Sequence, residues 1–194
     1  MTKQQALGTI LGAIILFVWS AIAWEVIPWP GEPLRNFTNE DAVAQAITAN
    51  APRSGVYLLP NMPRRTPGMT DQQYDAATKA MIDKMTRGPV VFTSVRLEPF
   101  NSMAKPLVIQ FLTQLIVALL ATFLLLQTSG LSYKGRVLFV TAIGVLIFVG
   151  GHVDEWNWWS FSNAYMLMQM GALIIGWFLA SLVMAKFVTG KAPA

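Results

Sequence analysis

The chain holds a single histidine, His152, and two acids follow it closely, Asp154 and Glu155. A third acid, Glu25, lies near the far end of the first long apolar run. If the helix leading to His152 continues through it, His152 and Glu155 share a face at a spacing of i, i+3. Imidazole and carboxylate placed that way can ligate a divalent metal. The set Glu25, His152, Asp154 and Glu155 is therefore the sharpest candidate for metal- or haem-associated redox chemistry. A bis-histidine haem within one chain is impossible with one histidine, whereas a His–Met pair stays arithmetically open among ten methionines. Met166, Met168 and Met170 alternate, point in different directions around a helix and read as core filler. The simpler expectation for His152 is a polar cap at a membrane boundary, hydrogen-bonded to a neighbour. No metal or other cofactor is expected.

Other chemistries find little support. There is no Gly-x-Ser-x-Gly, no HExxH and no Walker-type glycine loop. The absence of cysteine removes disulfides and thiolate chemistry but leaves the compartment open. A proton pump would place an acid in mid-span, yet every acid lies at or beyond the end of an apolar run. Gln110, Thr113 and Gln114 are polar within such a run and hint at the path of a small transporter or channel. Hydrogen bonding to neighbouring helices is the expected role for them. Arg64 and Arg65 could meet lipid headgroups or an acidic partner, though a solvated loop is expected. The chain is read as a non-enzyme.

These residues need elements to hold them, and the composition says which. Apolar residues make up 54% and charged residues 12%, the latter about half the usual globular share. Runs of roughly 20 apolar residues suit a bilayer core. Four spans are expected, at 7–27, 106–126, 137–151 and 164–188, the third being the shortest and ending in a Gly pair. The first carries Ala21-Ile-Ala23, a small-x-small site like that of a signal peptide, but is read as an uncleaved anchor. Between the last two spans, Gly151–Tyr165 reads as a short external turn. Trp is favoured at the membrane–water boundary, so Trp24, Trp29, Trp156, Trp158 and Trp159 are expected to mark one membrane surface. Gly8 and Gly12 on the first span, and Ala172, Gly176 and Ala180 on the fourth, form small-residue seams for close helix packing. At least one seam is expected to face a partner chain.

Segment 30–105 is the one extramembrane module. A helix is expected over Thr38–Asn50, capped by Thr38, with Ala42, Val43, Ala46 and Ile47 on one face. A strand-like run, Ser54–Pro60, precedes a loop rich in proline and arginine, Asn61–Met69. A second helix spans Thr70–Arg87, its cap Thr70 followed by Gln73, with Tyr74, Ala77, Met81 and Met85 as its stripe. A second strand covers Val90–Leu97. Parallel pairing of the two strands would make the intervening segment a crossover. Two short strands make a marginal sheet, so support from elsewhere is expected.

Lys3, Lys134, Arg136, Lys186 and Lys191 occupy the N-terminal tip, one short loop and the C-terminal tail, so the net charge of +4 is a topology signal and not a nucleic-acid signature. Cytoplasmic placement of these segments follows from the positive-inside rule. The expected fold is membrane all-α, four transmembrane helices with a small extracytoplasmic α+β module between the first and second. Its divisions are 1–29 (cytoplasmic tip and first helix), 30–105 (the module) and 106–194 (a three-helix block with a cytoplasmic tail). This layout resembles small bacterial inner-membrane proteins with an extracytoplasmic loop domain, a resemblance of topology that assigns no residue. The expected role is an accessory, scaffold or assembly subunit in contact with membrane lipid, either a homo-oligomer or part of a larger complex.

Overall fold

A computed structural model describes residues Met1–Thr189; Lys191, one of the tail cations, lies outside them. In chain order the elements are α1 (Lys3–Glu25), α2 (Glu40–Asn50), β1 (Gly55–Leu59), α3 (Asp71–Arg87), β2 (Val91–Val95), α4 (Ala104–Leu126) and α5 (Tyr133–Trp159). Then come α6 (Asn163–Met170), a π-helical turn (Gly171–Ile175) and α7 (Gly176–Phe187). The protein is mostly helical with one small two-stranded sheet. Among the described residues four helices are long and apolar enough to cross a membrane: α1, α4, α5 and the α6–α7 run, Asn163–Phe187.

Side-chain caps start three of these crossings. Thr2 and Gln5 form a capping box on α1, Ser132 accepts from the Gly135 N–H, and Ser162 accepts from the Tyr165 N–H. Pro106 falls in the first turn of α4, where a missing N–H costs nothing. The expected short third span is corrected: α5 is the longest helix, at 27 residues. Gly150 and Gly151 do not end it, because a glycine costs a helix interior only about 1 kcal/mol. It ends at Ser160, whose φ of 59° is left-handed. The expected external turn Gly151–Tyr165 thus shrinks to residues 160–162, and Trp156, Trp158 and Trp159 sit on the helix.

The chain divides into two compact units, one made of Met1–Arg35 with the chain from Ser102 onward, the other of Asn36–Asn101. In the first unit, neighbouring helices run antiparallel. Thr9 on α1 meets Thr122 on α4, and Gly12 meets Met184 on α7. Leu16, Leu125, Val140, Trp177 and Met184 form the apolar centre. The small residues are what let it close. A Cβ added at Gly8 would lie 2.7 Å from the Phe187 Cβ, and one at Gly176 2.7 Å from the Trp19 ring. Gly8, Gly12, Gly176 and Ala180 are buried inside this unit. The expectation that one seam faces outward is therefore corrected, since the seams of the first and fourth spans close within the chain.

The second unit has the expected order helix, strand, helix, strand. Asn39, not Thr38, caps α2 by accepting from the Ala42 N–H, while Thr70 and Gln73 form the capping box of α3. The strands pair antiparallel, with Gly55 opposite Val95 and Leu59 opposite Val91, which corrects the parallel crossover. The reason lies in the loop after β1. With α3 it forms a connection that ends beside the end of β1. There Pro60, Asn61 and Met62 line a cleft together with Lys84, Gly88 and Pro89. β2 then leaves in the opposite direction. Neither α2 nor α3 contains a buried residue.

Candidate functional site

Because α5 continues past its glycine pair, His152 and Glu155 do share a face. The His152 Nδ1 lies 2.8 Å from Glu155 Oε2. An ionised carboxylate only accepts, so Nδ1 carries the hydrogen and donates it. Gln169 Nε2 on α6 stands 3.4 Å from the same nitrogen, and the Phe148 ring stacks on the imidazole with centroids 6.2 Å apart. The cluster lies at the contact between α5 and α6, with Gln169 approaching from α6. Phe148 follows from the helical spacing i, i−4, but Gln169 could be joined to His152 only by the way α6 folds back.

The other two acids of the candidate set do not join them. Glu25 and Asp154 are exposed, and among the described residues no three of His, Cys, Asp or Glu come together to hold a metal ion. The four-residue set proposed from sequence is thus not assembled. What remains is one imidazole and one carboxylate, and the carboxylate is already the imidazole's hydrogen-bond partner. Both groups belong to α5, so the pair is a contact within one helix.

Tryptophans surround this end. Trp24, Trp156, Trp158 and Trp159 are exposed, with Trp158 the most so. Trp156 Nε1 donates to Asn163 Oδ1 at 2.8 Å, bridging the turn between α5 and α6. Trp29 is half-buried. Its indole N–H donates to the Ala23 carbonyl at 2.6 Å, and its ring lies over Gly171. Trp29 is therefore a packing residue as much as a boundary one. Trp19 donates to the Ala172 carbonyl at 3.0 Å, inside the π-helical turn. A π-turn locally shifts the backbone bonding pattern, and here it presents a carbonyl to a neighbouring helix. The opposite end is held by donors from the start of α5. Arg136 donates to the carbonyls of Ala185 and Leu131 at 2.9 and 2.7 Å, and Tyr133 to that of Leu182 at 2.9 Å. A cation there suits the negative end of the α7 dipole.

The polar residues of α4 behave differently from expectation. Thr113 donates to the carbonyl of Ile109 on its own helix, at 2.9 Å. Gln110 is exposed and Gln114 half-exposed. Neither forms a side-chain hydrogen bond among the described residues. Hydroxyl-to-hydroxyl bonds between helices are made instead by Thr9 with Thr122 at 2.8 Å and by Thr141 with Ser181 at 3.2 Å. Sequence reading passed over these four because lone hydroxyls in apolar runs look unremarkable. No buried side-chain nitrogen or oxygen among the described residues lacks a partner.

In the module, a cleft of about 520 Å³ lies between the end of β1 and the last turns of α3. Its walls are mostly apolar, with Leu59, Met62 and Met81 among them and Lys84 as the one charged lining residue. Arg65 is not simply solvated: it pairs with Asp71 at 2.7 Å and lies 4.6 Å from the Tyr74 ring centroid. No protein-family model, curated protein or solved structure matches this chain.

Proposed function

We propose that this protein is a multi-pass accessory, scaffold or assembly subunit of the bacterial inner membrane, acting through protein–protein contacts and not as an enzyme. One observation carries this reading. The module's helices bury no side chain, and its sheet has only two strands, so among the described residues each strand has one edge that no other strand pairs. Met62 is 64% exposed and Val56 66%. A unit of that size normally buries about 60% of the surface its unfolded chain exposes. Open strand edges are templates for pairing with another chain. Such a module gains its order from what it binds.

The orientation belongs to the same proposal. Lys3, Lys134, Arg136, Lys186 and Lys191 belong at the cytoplasmic side, which puts both termini there and residues 30–105 in the periplasm. The His152–Glu155 pair on α5 then lies at the periplasmic boundary, and the exposed tryptophans meet lipid headgroups. The test is photo-crosslinking in native membranes from single positions on the module of the full chain, at Val56, Met62 and Ile82. A discrete adduct of one size from these positions is expected. Uncrosslinked protein from all three would overturn the reading.

A further inference from the structure

The helix α4 changes character halfway along. From Ala118 onward its inward stripe is buried, with Ala118, Ala121, Thr122 and Leu125 all inside. Before that point no residue of the helix is buried. The stripe itself does not stop there. At 100° per residue, Leu107, Gln110 and Gln114 continue the line of Ala118, Ala121 and Leu125. The same line that packs one half of α4 against its own chain therefore runs on along the other half. There Phe111 beside it meets Phe17 of α1 at 5.6 Å between ring centroids, while Leu107 and Gln110 are left bare and Gln114 half-exposed.

What lies on that half is not purely apolar. The helix has 23 residues, and at about 1.5 Å per residue Gln114 sits about 15 Å from Ala104, near the middle of a roughly 30 Å hydrocarbon core. An amide left open to hydrocarbon is unfavourable, and the remedy in a membrane is a hydrogen bond to another helix. Among the described residues every buried side-chain nitrogen or oxygen already has its partner. Thr113, the third polar residue of this stretch, is satisfied by its own helix. Gln110 and Gln114 are the two left over, one turn apart and on one face.

We propose that this half of α4 is the face on which two copies of the chain pair, Gln110 and Gln114 of one copy hydrogen-bonded to Gln110 and Gln114 of the other. This rests on the reading that α4 crosses the bilayer. An amide carries both donors and an acceptor, so a stripe of two amides is complementary to itself. Two copies inserted in the same orientation present their α4 helices in parallel about a two-fold axis, where each residue meets its own counterpart. Leu107, one turn before Gln110 on this stripe, then faces Leu107 of the second copy. The pairing continues, between chains, an interface the stripe already makes within one chain.

The absence of cysteine makes the test direct. Leu107→Cys places one thiol on the proposed axis, and Ile116→Cys places one on the opposite face, where the side chain is 58% exposed. In native membranes under mild oxidation, Leu107→Cys is expected to give a disulfide-linked dimer and Ile116→Cys none. Adding Gln110→Leu and Gln114→Leu to Leu107→Cys is expected to lower the dimer about tenfold, the effect of two interhelical hydrogen bonds of ordinary strength. Ile116→Cys also reports on the span itself, since a mid-span thiol resists a water-soluble maleimide. Protection of Ile116→Cys without any dimer from Leu107→Cys overturns the pairing while leaving the span intact. Ready labelling of Ile116→Cys overturns both. A dimer that survives both leucine substitutions, or a Leu107→Cys adduct with a different protein, also overturns the proposal.

Discussion

Several glycines in this protein are spaces filled by rings. Gly144 lies against Trp177, Gly171 under Trp29 and Gly176 against Trp19. Added atoms at such contacts force side chains off their rotamers, at a cost of typically about 1–3 kcal/mol. Gly176→Leu is accordingly expected to destabilise the folded chain itself. Gly150, by contrast, faces open space, and Gly150→Ala is expected to leave stability unchanged or raise it by up to about 1 kcal/mol through helix propensity. Unfolding in mild detergent measures both, and equal stabilities for Gly176→Leu and the parent chain would refute the packing described for α1 and α7. His152 belongs at the same scale. His152→Ala removes the hydrogen bond to Glu155 and is expected to cost on the order of 1 kcal/mol, with metal and haem content unchanged. Loss of a stoichiometric metal or of a haem absorption band on that substitution would restore the redox reading.

Between elements, the ends of the sheet are tied by side chains. The Ser54 hydroxyl donates to Glu98 Oε2 at 2.6 Å and accepts from the Leu97 N–H at 2.8 Å, joining the start of β1 to the segment after β2. The Ser54 hydroxyl, chiefly, holds the Glu98 carboxyl below the usual glutamate range, helped by a backbone N–H and by the Arg96 charge. A carboxyl whose folded pKa is depressed adds stability above its unfolded value, and that contribution is lost as pH falls through the folded pKa. The link is thus intact at neutral pH and weakens on acidification through and below the ordinary glutamate range. A carbon-13 titration of Glu98 in the full chain is expected to show a midpoint that rises toward the ordinary value in Ser54→Ala. An unmoved midpoint would mean that the hydroxyl is not the cause. Such ties matter in a unit whose helices bury nothing, because few other contacts hold the strands in register.

At the scale of the helical unit, four antiparallel helices bring the start of α1, the loop between α4 and α5 and the end of α7 to one end. Reporters fused at Ser132 and Ala194 are expected to read cytoplasm, and one inserted at Thr66 the opposite compartment. An exterior reading at Ala194 would eliminate the four-span topology. The two units also differ in how they are satisfied. Among the described residues the helical unit has its buried polar side chains paired, while the module exposes apolar side chains such as Val56 and Met62 and has only two strands in its sheet. Association is therefore argued from the module and from one half of α4, and no longer from the glycine seams.

Apolar run length was enough to number the crossings, because a bilayer-spanning helix must satisfy its backbone internally and advertises itself by composition. The caps at Thr70 and Gln73 were equally legible, since a capping box is local. The end of α5 was not: a glycine pair lowers helix propensity, but whether a helix stops depends on what the following turns gain, and Ser160 ends this one. Strand direction was hidden for a similar reason, since which end of β1 the last turn of α3 reaches is not written in residue types. The glycine seams showed in the sequence as small residues, yet only the fold revealed that Trp19, Met184 and Phe187 of the same chain occupy them. Gln110 and Gln114 read as helix-packing residues from their chemistry alone. That they find no hydrogen-bond partner among the described residues was decided by tertiary structure, because the buried stripe of α4 begins only at Ala118.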